Sequence, residues 1–285
     1  LAALCCKETA LTHPAVFLVH ALAAARTART AREWTARYAP FARELEYYCL
    51  EPAFSPDGAR LYFLSTRPPE GAEAKPGWGH QNIWVVDRGS DGEWGKPRLA
   101  GPPISTDAPE YFPSFTNDGT IYFSRTPAGE KGVRIFRARP AGSSFAEAEM
   151  LPAQVNGEWE IFNVCISPDE SYLVACVGGM DPAVPADVSR YYVFFRGADD
   201  TWSGGIDLGE KINPPGAKAM SPSITRDGKY LFFASSAARK IDAAVPGALS
   251  LGALREFYAS PRNGLFDIYW VDASFIEGLR PAAAK

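Results

Sequence analysis

Apolar and polar residues alternate on both sides of a short turn at four places along the chain. The first reads PAFSPDGARLYF, and the others read PSFTNDGTIYF, VCISPDESYLVAC and PSITRDGKYLFF. Alternation with a period of two residues is typical of a half-buried β-strand. The residues between favour a tight turn, because Pro fixes φ, Asp bonds its own backbone and Gly accepts a positive φ. Each place is therefore predicted to be a β-hairpin.

The four predicted turns recur about 50–60 residues apart, at residues 55–58, 116–119, 167–170 and 225–228. The third turn differs, since Glu170 stands where the other three have Gly. Because glutamate does not share glycine's tolerance of positive φ, we expect the third turn to use another backbone geometry.

Two more strands follow each hairpin. The third strands are predicted at Asn82–Arg88, Val133–Arg139, Arg190–Arg196 and Phe266–Asp272. An aromatic residue begins a fourth strand after three of them, at Trp94, Phe145 and Trp202. A small polar residue then recurs in the same register, at Ser105, Asn156 and Asn213. The repeating unit is therefore four antiparallel strands.

A unit of four strands repeated along the chain predicts a β-propeller. One four-stranded blade cannot bury both of its faces, whereas stacked blades bury aromatic and β-branched side chains between them. A ring of blades also leaves only short strand edges. A β-sandwich is the alternative, but it gives no reason for a period of four strands.

The repeats resemble those of TolB-type, WD-repeat-like β-propellers, whose hallmark is SPDG followed by an aromatic-rich strand. The matching stretches are Glu51–Phe63, Ser114–Phe123, Val164–Cys176 and Ser223–Phe233. The resemblance extends from about Trp34 to Arg280. It implies the propeller fold and an association with the bacterial cell envelope, with a cytoplasmic location as the alternative. It implies no activity, because propellers carry many unrelated functions.

The predicted domain organisation has three parts: an atypical N-terminal segment (1–33), a single β-propeller domain (34–280) and a short tail (281–285). The N-terminal segment is rich in Ala and has no hairpin turn, which favours a helix. We predict four clear blades plus a degenerate or replaced first blade, hence five blades, with four or six as alternatives. Ring closure normally joins both ends of the chain, so the last blade is expected to take its fourth strand from near Trp34–Phe41 or upstream.

Charge and composition exclude some classes of function. The net charge is −4 and the pI is about 5.5, so the chain does not resemble a nucleic-acid-binding protein with a basic patch. No apolar run reaches the roughly 18 residues of a membrane-spanning helix. Five cysteines without C-x-x-C spacing indicate thiols rather than a disulfide framework. The start, LAALCC, resembles the end of a lipoprotein signal, although Leu4 replaces the usual small residue, and a truncated start is the alternative.

Candidate binding residues lie in long loops that a propeller gathers on the face opposite the hairpin turns. These loops are Thr66–Gln81, Gly178–Ser189 and the stretch 236–264. Loops grouped on a rigid scaffold are frequent binding sites. The candidate ligand-binding residues in and beside them are Arg67, Trp78, His80, Asp107, Glu110, Arg125, Glu158 and Glu160. The alternative is that these charges form salt bridges and loop caps between blades, and that Trp78 covers a blade edge.

Catalytic and metal motifs are scarce. The chain has three histidines, too few for a convergent His metal cage, and no G-x-S-x-G nucleophile elbow. Cys165 and Cys176 lie on predicted strands and are expected in the core. No catalytic residue, metal ligand or cofactor is therefore predicted, and the recurring turn aspartates are explained by their local hydrogen bonds.

The sequence therefore favours a monomeric, non-catalytic binding module that holds a protein, peptide or glycan through the long-loop face, without nucleic acid. The alternative is a glycan-active hydrolase or lyase that uses Asp107, Glu110 and Glu160 as acid and base. Two carboxylates about 5–10 Å apart across an open cleft would favour the enzyme. Carboxylates bonded to an Arg or to backbone amides would favour the binding module.

Overall fold

The computed structural model describes residues 47–239 and 250–282. Within these residues the chain is almost entirely β-structure, with one short α-helix and one 3-10 helix. Its strands form four successive antiparallel sheets, the blades of a β-propeller, which confirms the predicted fold class and the four clear blades. The additional first blade was predicted upstream of residue 47 and lies outside the described residues.

The chain divides into two compact units, Leu1–Pro113 and Ser114–Lys285. The first sheet belongs to the first unit, and its strands β1 to β4 are Cys49–Phe54, Arg60–Ser65, Asn82–Asp87 and Arg98–Leu99. Its strand order follows the chain.

The strands of the second sheet are β5 (Glu110–Phe115), β6 (Ile121–Arg125), β7 (Arg134–Ala138) and β10 (Glu149–Met150). They lie in the order β10-β7-β6-β5. Between β7 and β10, a two-stranded ribbon is formed by β8 (Pro140–Ala141) and β9 (Ser144–Phe145). The predicted strand start at Phe145 therefore falls in this ribbon, and the fourth strand begins four residues later.

The third and fourth sheets also keep the order of the chain. The third sheet contains β11 (Glu160–Ile166), β12 (Tyr172–Gly178), β13 (Arg190–Phe195) and β14 (Ile206–Asp207). The fourth sheet contains β15 (Ala219–Ile224), β16 (Tyr230–Ser235) and β17 (Asp267–Asp272). The third strands therefore lie where the sequence predicted them.

All four hairpin turns form as predicted, but the expectation for the third turn was wrong. Gly58, Gly119 and Gly228 have φ of 69°, 93° and 71°, and Glu170 has a φ of 61°. Glu170 thus adopts the same left-handed conformation as the glycines that it replaces. Such a conformation is costly for a residue with a Cβ, so other contacts of Glu170 must compensate for it.

Each innermost strand carries the same irregularity, which the sequence did not predict. The residue six positions before the turn aspartate has a positive φ of 50–58° in every blade, at Glu51, Phe112, Asn163 and Ser221. At three of these positions the recorded pairing with the second strand shifts register, as at a β-bulge. The four blades therefore share one bent inner strand.

The third sheet is buried on both faces within the second unit. Leu173, Ala175 and Val177 belong to a cluster shared with the second sheet. Tyr172 and Cys176, on the opposite face of β12, belong to a cluster shared with the fourth sheet. Alternate side chains of one strand thus supply two separate cores. Cys165 and Cys176 are buried, which confirms their predicted place in the core.

One side chain on each of two inner strands joins neighbouring sheets of the second unit. Ser114 Oγ donates to the carbonyl of Val164 and accepts from the amide of Ile166, at 3.1 and 3.2 Å. One blade later, Cys165 Sγ accepts a hydrogen bond from the amide of Ile224 at 3.2 Å. Both side chains lie four residues before the turn aspartate, so the repeat reuses one position for contacts between blades.

The fourth strands contain only two residues each, and side chains extend them. Ser105 Oγ donates to the carbonyl of Ile83. Asn156 pairs through its amide group with both backbone groups of Ile135, and Asn213 does the same with Tyr191. The recurrent Ser or Asn in the sequence is thus a side-chain substitute for further strand pairing.

Within residues 47–239 and 250–282, the fourth sheet differs from the other three sheets. It contains three strands, and Ile268 and Trp270 on its last strand are 58% and 62% exposed. The fourth strand expected from Trp34–Phe41 lies outside the described residues. The predicted loop 236–264 contains an α-helix, α1 (Leu251–Tyr258), capped by Ser250, and the sheet is followed by a 3-10 helix, Ala273–Leu279.

Candidate functional site

The predicted binding residues are divided between the two units. The first unit contains Arg67, Trp78, His80, Asp107 and Glu110. The second unit contains Arg125, Glu158 and Glu160. The first unit therefore holds the larger group. Three of its members lie in the loop Thr66–Gln81, and Glu110 is bonded to the end of that loop.

The loop Thr66–Gln81 joins β2 to β3 and has a firmly bonded stem. Thr66 and Tyr48 exchange two hydrogen bonds, from the Thr66 amide to the Tyr48 carbonyl and from the Tyr48 amide to Thr66 Oγ1. At the other end of the loop, the Glu110 amide donates to the carbonyl of Gln81 at 2.9 Å. Both ends of the loop are thus fixed by neighbouring backbone.

Trp78 lies near the end of this loop and stacks on Tyr48. The two rings are nearly parallel, with an interplanar angle of 18° and centroids 4.9 Å apart. Both side chains remain half exposed, at 48% and 49%. We call Tyr48 and Trp78 the aromatic platform. The sequence analysis named Trp78 as a candidate and did not name Tyr48, which precedes β1 and has no motif around it.

Arg67 lies between two other aromatic rings at the start of the same loop. Its guanidinium carbon is 5.1 Å from the ring centroid of Trp84 and 5.9 Å from that of Tyr47. Such cation–π contacts are worth about 0.5–1 kcal/mol at partly exposed sites. They hold a positive charge beside the loop without removing it from water.

His80 is the last residue but one of this loop, and it is only 9% exposed. Its Nε2 lies 2.8 Å from the carbonyl oxygen of Glu73. A carbonyl oxygen only accepts hydrogen bonds, so Nε2 must carry the proton of this contact. His80 therefore links the two halves of the loop rather than presenting its ring to solvent.

Glu110 is fully buried, whereas Asp107 is exposed. The amide of Thr106 donates to both carboxylate oxygens of Glu110 at 3.1 Å, and the Thr106 hydroxyl donates to one of them. The Glu110 carboxylate is thus bonded to a backbone amide, one of the two arrangements expected of a binding module.

In the second unit, Arg125 packs on aromatic rings and the two glutamates face solvent. The guanidinium carbon of Arg125 is 5.0 Å from the centroid of Phe123 and 4.8 Å from that of Phe136. Glu158 and Glu160 are exposed, and Glu160 begins β11 opposite Gly178. Their role in ligand binding stays a prediction.

The turn aspartates are engaged locally, as expected. Oδ1 of Asp57 accepts from the Ser55 hydroxyl at 2.6 Å and from the amide of Ala59 at 3.0 Å. The other three turns repeat both bonds, centred on Asp118, Asp169 and Asp227. Both hydrogen bonds lower the pKa of Asp57, and the bond from the Ser55 hydroxyl has the larger effect. These aspartates therefore stabilise the turns.

A charged cluster at the hairpin end of the second unit was not predicted. The Glu170 carboxylate accepts from the Tyr122 hydroxyl at 2.7 Å and pairs with Arg196 at 3.1 Å. Asp200 pairs with Arg196 at 2.7 Å and with Arg137. The departure of Glu170 from the repeat was the only signal in the sequence, and it marks the centre of a cluster that joins the second and third sheets.

Neither a metal cluster nor a membrane helix is present in the described part of the chain. Among residues 47–239 and 250–282, no three His, Cys, Asp or Glu side chains are grouped as metal ligands. Over the same residues, none of the helices combines the length and the apolar character that crossing a membrane requires.

Comparison with known proteins gives distant structural likenesses. No protein-family model matches the chain, and no curated protein sequence matches it. Among solved structures, regucalcin from Agrobacterium tumefaciens, described as a calcium-binding protein, is 15% identical with a TM-score of 0.41, covering 79% of this chain and 61% of its own. A thermostable family-43 glycoside hydrolase is 14% identical with a TM-score of 0.42, covering 68% and 65%.

A prolyl endopeptidase is also similar, with 17% identity and a TM-score of 0.39, covering 67% of this chain and 23% of its own. The chain thus spans less than two thirds of the length of each of these three proteins. Likenesses this distant do not carry an activity over to the chain. The propeller fold stands on the sheets themselves, and membership of the TolB-type family stays a prediction.

Proposed function

We propose that this chain is a non-catalytic binding module, which holds a protein, peptide or glycan at the long-loop end of the first sheet. The bacterial cell envelope, which the sequence resemblance implies, is part of the same proposal. The observation that carries it is the aromatic platform of Tyr48 and Trp78.

The platform supports binding because its rings remain half exposed although they already contact each other. Exposed aromatic surface is costly in water, and its cost is offset when a ligand covers it. Tyrosine and tryptophan contribute large contact areas with few rotatable bonds, so little entropy is lost on binding. The bonded stem of the loop adds to this preorganisation.

The state of Glu110 supports a binding module over a glycan-active enzyme. A general acid or base needs a carboxyl group within reach of the substrate. Glu110 is buried and its carboxylate accepts three hydrogen bonds from Thr106. We therefore assign Glu110 to the support of the loop after β4, and not to proton transfer.

The experiment compares Trp78→Ala with Trp270→Ala. Both tryptophans are exposed, but Trp270 lies on the last strand of the fourth sheet, in the other unit. Wild-type protein is screened against immobilised oligosaccharides and a phage-displayed random peptide library. We expect Trp78→Ala to weaken the selected interaction at least about tenfold, the equivalent of about 1.4 kcal/mol. Trp270→Ala should leave it unchanged.

Three results would contradict the proposal. The first is equal binding by wild type and Trp78→Ala, and the second is that neither screen yields a binder. The third is cleavage of an oligosaccharide that is abolished by Glu110→Gln in a variant that remains folded, because a buried loop support would not be required for catalysis.

A further inference from the structure

Trp78 lies in a segment without regular secondary structure, so its position depends on a few contacts inside the loop. Two turns shape the segment, with hydrogen bonds from Ala72 to Pro69 and from Gly79 to Pro76. A tryptophan at the edge of such a loop would sample many positions unless the loop were closed. The contacts of the two residues that follow Trp78 supply that closure.

Gly79 is the first of these residues. A Cβ at Gly79 would lie 2.3 Å from the Cβ of Lys75 and 3.2 Å from the carbonyl oxygen of Pro76. The backbone of the loop therefore approaches itself so closely that only glycine fits. This close approach fixes the direction in which the chain leaves Trp78.

His80 is the second. It is nine-tenths buried in a loop whose other residues, from Glu70 to Gly79, are exposed. The hydrogen bond from its Nε2 to the Glu73 carbonyl joins the end of the loop to its middle. A buried imidazole with one bonded nitrogen is oriented as well as held, which places the adjoining backbone and Trp78 relative to Tyr48.

We propose that His80 is a positioning residue that locks the Thr66–Gln81 loop and presents Trp78 on Tyr48. The proposal rests on the function proposed above, since it names the residue that prepares the binding surface. It separates two roles within one loop: Trp78 contacts the ligand, and His80 contacts only the loop.

The test uses two substitutions that differ in the position of one donor. The side-chain amide of Gln reaches about as far as the Nε2 of His, whereas the amide of Asn reaches only about as far as Nδ1. We expect His80→Gln to keep the bond to the Glu73 carbonyl and His80→Asn to lose it. Neither variant alters the aromatic rings.

The first readout is hydrogen exchange of the peptide containing residues 66–81, measured by mass spectrometry without any ligand. We expect exchange in His80→Asn to be about fivefold faster than in wild type, in line with the loss of one net hydrogen bond. His80→Gln should stay near wild type. Gly79→Ala should also accelerate exchange, and it supplies the test independently if His80→Asn does not fold.

The second readout is binding of the oligosaccharide or phage-displayed peptide that wild type selects. We expect His80→Asn to bind this ligand about fivefold more weakly than wild type, and His80→Gln to bind it as tightly as wild type. Unchanged exchange in both His80→Asn and Gly79→Ala would overturn the proposal. Faster exchange in His80→Asn with unchanged binding would also overturn it, provided that Trp78→Ala weakens binding. If exchange responds as expected but Trp78→Ala binds normally, the lock stands and the proposed function fails.

Discussion

Glu170 offers a direct measurement of how a tertiary contact offsets backbone strain. We predict that Glu170→Gly destabilises the protein even though glycine is the residue that the other three turns use. Glycine would relieve the left-handed backbone at φ 61°, but it would also remove the carboxylate that Tyr122 and Arg196 contact. The sign of the change decides which effect is larger.

The magnitude follows from burial. Glu170 is 9% exposed and Tyr122 is fully buried, so removal of the carboxylate leaves a buried hydroxyl without this acceptor. It also leaves two guanidinium groups, those of Arg196 and Arg139, without one partner each. Arg196 retains Asp200. We expect a loss of about 3 kcal/mol from the missing carboxylate. Relief of the left-handed conformation returns about 1 kcal/mol. Glu170→Gly should therefore cost about 2 kcal/mol and Glu170→Ala about 3 kcal/mol.

The assay is equilibrium urea unfolding, followed by circular dichroism and by tryptophan fluorescence. Gly228→Ala is the matched control, since Gly228 has a φ of 71° in the equivalent turn of the same unit and open space around its Cβ position. Its cost should equal the difference between Glu170→Ala and Glu170→Gly. If Glu170→Gly is as stable as wild type or more so, the carboxylate contributes less than the strain costs and the reasoning is refuted.

Three further predictions concern buried or paired polar groups. The hydrogen bond from Arg137 is the main cause that lowers the pKa of Asp200. The ionised Asp200 carboxylate therefore stabilises the folded state above about pH 4, and this contribution is lost as the pH falls. Asp200→Asn should lower the free energy of unfolding at pH 7, measured in urea, and should lower it less at pH 3. Burial raises the pKa of Cys165 to about 12, so its thiol should not react with a disulfide reagent in native protein at pH 8. Cys165→Ala should lower the free energy of unfolding by about 1–3 kcal/mol, because the amide of Ile224 loses its acceptor, and Cys165→Ser should lower it less. Glu110→Ala should cost about 1–3 kcal/mol in the same unfolding assay, whereas Glu160→Ala should be neutral because Glu160 is exposed; equal effects of the two would contradict the assignment of Glu110 to support.

Local chemistry explains what the sequence predicted well. Each hairpin is specified by adjacent residues, because the turn aspartate and its Ser or Thr partner are two positions apart. The same local reasoning gave the wrong geometry for Glu170, since its partners Tyr122 and Arg196 lie 48 and 26 positions away in the chain. A local φ preference of about 1 kcal/mol is outweighed by contacts that only the folded chain brings together.

The bent inner strands and the aromatic platform could not be predicted for a related reason. The residues with positive φ in the inner strands include a glutamate, a phenylalanine, an asparagine and a serine, which share no side-chain chemistry. Their common feature is their position six residues before the turn aspartate. Likewise, Tyr48 meets Trp78 across the stem of a loop, so neither residue indicates the other in the sequence.

The two ends of the first sheet assign different roles to residues that look equally functional in the sequence. At the hairpin end, an aspartate equivalent to Asp57 recurs in every blade, and the hydrogen bonds of Asp57 lie within the five residues of its own turn. At the loop end, Thr66 is bonded to Tyr48 and the Glu110 amide donates to the Gln81 carbonyl, so both ends of the loop are held. The aromatic rings of the platform remain half exposed. Substitution of Asp57 should therefore lower stability and leave binding intact, because its partners lie inside the turn. Substitution of Trp78 should do the reverse, because a half-exposed ring contributes little to folding and much to a surface that a ligand covers.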